Sequence, residues 1–210
     1  MTLDKANELL ANMKSTAASR YNAAKRLESK ERSLTRLTAF TSAYVVGLTV
    51  VPYFVHLPPG SADRMNLITF VLGLVILVAS LIQYSARDGV NAELHYRCGL
   101  EIGEMRRRLK IVRDSIDDAS LLKVSDEYSS ILSKYSINHD QVDFDQYRIE
   151  RTEEAKKLGV LERWIAIPFR MHVARHAANI SLAILSVIMI WLVWAVIAPA
   201  WNLAASATGS

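Results

Sequence analysis

The chain has one cysteine in 210 residues, Cys98, and only eight glycines. A single thiol excludes an internal disulfide framework and any zinc site built from several cysteines. With so few glycines a phosphate-cradling loop is hard to place, and no G-x-x-x-x-G-K-[ST], G-x-G-x-x-G or G-x-S-x-G pattern occurs. No nucleotide hydrolase is legible. Period-two alternation of useful length is also lacking, which leaves an all-helical chain. The most telling absence is local. Although 22% of residues are charged, three blocks, 37–57, 65–84 and 179–201, contain no Asp, Glu, Lys or Arg.

Each block is 20 to 23 residues long, the length that crosses roughly 30 Å of hydrocarbon at about 1.5 Å per helical residue. One such block could be a buried core helix; three predict an integral membrane protein. None reads as a cleaved signal sequence, because the first follows 36 largely polar residues. Lys and Arg number eight before residue 37, one (Arg64) between the first two blocks, sixteen between residues 84 and 179, and none after 201. The positive-inside rule then predicts a cytoplasmic N-terminus, a cytoplasmic segment 85–178 and an external C-terminal tail, 202–210. Spans 37–57 and 65–84 form a hairpin with a short external turn marked by Pro58-Pro59-Gly60. The formal net charge of +4 needs no nucleic acid to explain it, because juxtamembrane basic residues face anionic lipid. Direct nucleic-acid binding is not expected, the Arg106-Arg107-Arg108 cluster included.

Segment 1–36 reads as an amphipathic helix with Leu3, Ala6, Leu9, Leu10, Met13 and Ala17 on one side, running on into the first span. Beyond the second span, Leu94, Cys98, Ile102, Met105, Leu109, Val112 and Ile116 step by 4, 4, 3, 4, 3 and 4, a narrow stripe of coiled-coil type. This stripe is the candidate surface for joining copies, with Gly99 and Gly103 beside it allowing close approach. Because no breaker precedes Asp117-Asp118, the second span is expected to continue as one long helix through the cytoplasmic extension 85–136. A further helix at 121–135 carries Leu122, Tyr128, Ile131, Leu132 and Tyr135. The insert 137–178 includes an aromatic- and arginine-rich segment around Trp164 and Phe169, bent at Pro168, that suits the membrane interface.

Two groups of residues invite a chemical reading. His172 and His176 have the spacing of a zinc-protease helix, but "VAR" separates them and the general-base glutamate is missing; no metal ligand set is assigned. Asn138-His139-Asp140, with Asp143 and Asp145 close behind, resembles a catalytic constellation. The same residue types are preferred where one helix stops and the next begins, since their side chains bond free backbone amides. Tyr128, Asn138, His139 and Asp140 are therefore read as a structural corner, with no catalytic residue and no cofactor expected. A membrane enzyme using His139 and Asp140, or a ligand contact there, is the competing reading.

In the spans, Asn66, Thr69, Gly73, Ile76, Ser80 and Gln83 step by 3, 4, 3, 4 and 3 and form one small-or-polar face. Thr38, Thr41, Ser42, Val45 and Thr49 form a comparable one. Such faces pack membrane helices against each other, or line a weakly polar pore in an oligomer. Two or three spans cannot surround a channel alone.

A hairpin with a short external turn, an amphipathic helix before it, and a run-on helix ending in Tyr128-x-x-Ile131-Leu132 and Asn138-His139 together resemble the SLATT family, two-span effectors of bacterial conflict and antiviral systems. The third span and the insert from Asp140 to His176 are similar to its reverse-transcriptase-associated subgroup. The resemblance implies an all-α integral membrane protein: a transmembrane hairpin, a long helical cytoplasmic extension and a third C-terminal transmembrane helix. It implies an inner-membrane effector that oligomerises to form a pore or perturb the membrane when a co-encoded defence protein, a reverse transcriptase or a nucleotide-signal synthase, reports infection. It also implies that Asn138 and His139 mark the fold's corner. A non-conducting membrane scaffold that recruits such an enzyme is the alternative.

Overall fold

The computed structural model describes residues 2–54, 59–150 and 159–170, together with 172–173, 180, 183–184, 186–188, 190–191 and 194. Five helices are described: α1 (Thr2–Phe54), α2 (Ser61–Ala86), α3 (Asp88–Val112), α4 (Asp118–Tyr135) and α5 (Gln141–Glu150). A helical stretch at 160–170 contains one π-helical turn, Glu162–Ala166. Among the described residues there is no strand. The chain divides into two compact units: residues 1–30 with 87–175, and residues 31–86 with 176–210.

The first unit is a helical bundle. Ala6, Leu10, Met13 and Ala17 of α1 close on Cys98, Ile102, Met105 and Leu109 of α3 and on Leu121 and Tyr135 of α4. The repeat of three and four that marked α1 and α3 in the sequence is thus the seam of an intramolecular bundle. This corrects the assignment of the stripe as the surface that joins copies. Cys98 and Ile102 are wholly buried, and Met105 and Leu109 nearly so, within their own chain. Leu94 and Ile116 pack against the same core, and Val112 alone of the seven is exposed. The glycines follow suit. A Cβ at Gly99 would stand 3.1 to 3.3 Å from the Tyr21 ring, and one at Gly103 would stand 3.6 Å from its hydroxyl. The helix they admit is α1.

α4 is capped by Asp117, whose side chain accepts a hydrogen bond from the Ser120 amide at 3.1 Å. Its far end is tied to α3 through Glu101, which accepts from Lys134 Nζ at 2.6 Å and from the Tyr135 hydroxyl at 2.7 Å.

The expected unbroken helix beyond the second span is also corrected. Arg87 lies in the left-handed region at φ 49°, ψ 36° and separates α2 from α3. The physical reason is Asp88. A buried carboxylate in the first turn of a helix meets the positive end of its dipole, and here Lys30 Nζ pairs with it at 2.9 Å. The Asp88-Gly89 dipeptide was the available breaker signal.

In the second unit, the hairpin joins residues from 31 to 54 of α1 with α2. The turn includes Gly60 at φ 78°, a conformation that favours glycine. Leu48, Met65 and Leu72 form its core, with Tyr44, Val45, Val51 and Ile68 against them. The expected third span at 179–201 falls largely outside the described residues. Of those described, Ser186 accepts a hydrogen bond from the Tyr44 hydroxyl at 3.3 Å.

Candidate functional site

The polar corner gathers side chains from α1, α3 and α5 of the first unit. Asp140 occupies the cap position of α5, and Asp143, three residues on, reaches back to accept from the Asp140 amide at 3.1 Å. That is the back-reaching half of a capping box, with aspartate in place of glutamate; the Asp143 amide itself donates to the Asp140 carbonyl at 3.0 Å. Asp143 is 1% exposed. Arg26 of α1 holds both its oxygens, through Nε and Nη2 at 2.9 Å each, and also pairs with Asp140. The Asp143 carbonyl accepts from Asn22 Nδ2 at 3.1 Å. Arg26 is held even more firmly protonated than usual, first by its bond to Asp143.

Arg20 is almost completely buried. Its Nη1 donates to the Ile137 carbonyl and lies 3.2 Å from His95 Nδ1. A guanidinium has no acceptor, so Nδ1 of His95 must accept and its ring must be neutral, with the proton on Nε2. Burial first, and the Arg20 charge second, push the His95 pKa down to about 4. His139 is half-buried, its Nδ1 meets no hydrogen-bond partner, and burial followed by Arg20 lowers its pKa as well. Both histidines are therefore neutral near pH 7.

Of the residues assigned to the corner from sequence, Asp140 and His139 sit in this cluster and Asn138 is exposed beside it. Tyr128 lies elsewhere in the bundle and donates to Thr16 Oγ1 at 2.8 Å. Sequence reasoning missed Arg20, Asn22, Arg26 and His95. A signal existed for Arg20: it continues the α1 series 6, 10, 13, 17 by a further step of three, where an apolar residue was due. Chemically the arrangement is a clasp. Asp143 has both oxygens engaged by Arg26. Among the described residues no group of three or more His, Cys, Asp or Glu side chains is arranged to hold a metal ion.

The hairpin carries the other candidate site. Apolar windows within Thr2–Phe54 and Ser61–Val112 have mean hydropathy 1.5 and 2.6, yet only 17% and 11% of them are buried. A soluble core helix would bury most of such a run; these offer it outward, as a lipid-facing helix does. The polar face of α2 splits into two edges. Thr69, Ile76 and Gln83 are half-buried, and Gln83 Nε2 donates to Thr35 Oγ1 of α1 at 2.9 Å. Asn66, Gly73 and Ser80 remain exposed, and a Cβ at Gly73 would meet nothing within 4 Å. On α1, Thr41 is buried, Thr38 and Ser42 are half-buried and Thr49 is exposed. Each of these four hydroxyls donates to the carbonyl four residues back, at 2.7 to 3.0 Å.

Fold and site together define a helical protein with two membrane-length apolar helices and a polar clasp in a separate helical bundle. The chain belongs to the SMODS and SLOG-associating 2TM effector domain family 5, whose model matches residues 2–201. No curated protein and no solved structure matches it. Membership makes it a membrane effector domain of a conflict system, in a family not known as one of enzymes.

Proposed function

We propose that the chain self-associates in the bacterial inner membrane and permeabilises it when a co-encoded protein, a reverse transcriptase or a nucleotide-signal synthase, reports infection. The observation that carries this reading is the open edge of α2. Asn66, Gly73 and Ser80 recur every seven residues on a side that α1 leaves uncovered. In lipid, small and polar positions of this kind are where another helix packs, and two spans need further copies to enclose a path for ions. The distribution of Lys and Arg supports a cytoplasmic N-terminus and segment 85–178, with an external C-terminus. A non-conducting scaffold for the same partner is favoured by one observation: the α1 hydroxyls spend their donors inside their own helix, leaving less to offer water.

Liposomes holding the full chain and an entrapped dye decide between the two. Dye release on addition of the co-encoded protein is the expected outcome. Intact vesicles with the partner bound would establish the scaffold.

A further inference from the structure

The helical stretch at 160–170 turns a row of large apolar side chains outward. Leu161, Ile165 and Phe169 follow each other at steps of four and are 70, 60 and 67% exposed. At about 3.6 residues per turn, such a row drifts around an α-helix by about 40° per step. The π-helical turn, closed by the Ile167 amide on the Glu162 carbonyl, winds more slowly and takes up drift over the first step. The three side chains thus share one side. The other side is fixed. Ile167 is wholly buried, and Arg170 Nη2 donates to Asp145 Oδ2 at 2.9 Å. Asp145, 2% exposed, is braced by Gln141 Nε2 at 3.0 Å. A stretch clamped on one side and apolar on the other is built to meet something apolar.

Charge and chain continuity say what. Residues 159–175 carry three arginines against one glutamate, and the uncharged block 179–201 begins nine residues after Arg170. A short helix with an apolar row and net positive charge, leading into an uncharged run of that length, fits the boundary between anionic headgroups and acyl chains. We propose that 160–170 lies in the plane of an anionic bilayer surface with Leu161, Ile165 and Phe169 immersed, and that Arg170–Asp145 fastens this float to α5. The inference rests on the membrane reading above but not on pore formation.

The test uses the full chain in vesicles of phosphatidylethanolamine and phosphatidylglycerol. An environment-sensitive fluorophore is placed on Ile165→Cys, with Leu161→Cys as the second reporter in case the first misfolds. The native thiol is buried with a raised pKa, so the unsubstituted chain serves as the labelling blank. Ile111→Cys on α3, 84% exposed in the native chain, is the water reference, and Val78→Cys on α2 reports insertion of the hairpin. Immersion of about 5–10 Å predicts blue-shifted emission at 161 and 165. Lipids brominated high on the acyl chain should quench most of that fluorescence, and lipids brominated near the bilayer centre should quench little. Water-like emission at both positions, with Val78→Cys quenched, would overturn this proposal and leave the membrane reading standing. Loss of quenching at Val78→Cys as well would overturn both. Blue-shifted emission untouched by either lipid would mean that protein covers the row, which also overturns it.

Discussion

Arg26 grips Asp143 with two hydrogen bonds of 2.9 Å across 117 positions of sequence. The pair fastens the start of α5 to the middle of α1, and the carboxylate it neutralises is out of contact with water. A bidentate, charge-assisted pair is the strong form of the interaction. Its cost is exposed only when one partner is removed, because the other then stays buried and uncompensated.

Arg26→Ala is therefore expected to destabilise the first unit by about 3–5 kcal/mol, the usual result of breaking a buried pair from one side. Arg26→Lys should fall between, since an ammonium cannot hold both oxygens in the planar fork. Combining Arg26→Ala with Asp143→Asn should recover part of the loss, because position 143 then holds no buried charge left without its partner. Denaturant unfolding in mixed micelles measures all four proteins. An Arg26→Ala variant within about 0.5 kcal/mol of the parent, as surface substitutions commonly are, would show that the clasp is not structural.

The neutral state of His95 sets a direction for pH. In the folded chain it faces the Arg20 and Arg26 charges, the His139 ring and the Asp143 carboxylate, and it titrates at about 4 against an ordinary 6.5. Between those values the unfolded chain takes up a proton that the folded chain refuses. Stability is thus full above pH 6.5, falls as pH drops towards 4, and loses nothing more to this group below that. The gap corresponds to at most about 3 kcal/mol. Burial lowers the His139 pKa in the same sense and adds to the slope. His95→Gln should flatten the profile between pH 6.5 and 4. A parent protein whose stability holds level or rises over that range would contradict the assigned tautomer.

Hydrophobic patterning made the helical class and the hairpin legible, because 20 uncharged residues have few other uses. It also located the faces of α1 and α3. It could not say what those faces meet. A stripe repeating every three and four residues specifies burial, and a helix earlier in the same chain satisfies it as well as a second copy does. The corner was legible for a different reason: cap residues act locally, so Asp140 and Asp143 announce a helix start. Their long-range partners were not, since arginines on a long polar helix look alike until one is found in an apolar register, as Arg20 is. The break at Arg87 had only the Asp88-Gly89 dipeptide just after it as a signal, and no proline.

Gly73 lies with Asn66 and Ser80 on the exposed edge of α2, beside the half-buried edge of Thr69, Ile76 and Gln83. Within one chain its Cα side is open, so substitution there alters no contact between α1 and α2. Helix propensity alone would make a larger residue neutral or favourable by up to about 1 kcal/mol, and leucine promotes insertion into lipid. If copies meet along Asn66, Gly73 and Ser80, Gly73→Leu holds two backbones apart at the point of closest approach. We expect normal membrane levels, loss of cross-linked oligomers and loss of dye release. Val78→Leu is the control: its position, 54% exposed, lies on the opposite side of α2 and receives extra bulk without touching that edge. Oligomers and leakage unchanged in Gly73→Leu would remove this edge from the assembly. Leakage lost with oligomers intact would instead put the edge along the conducting path, where an apolar side chain blocks ions by excluding water.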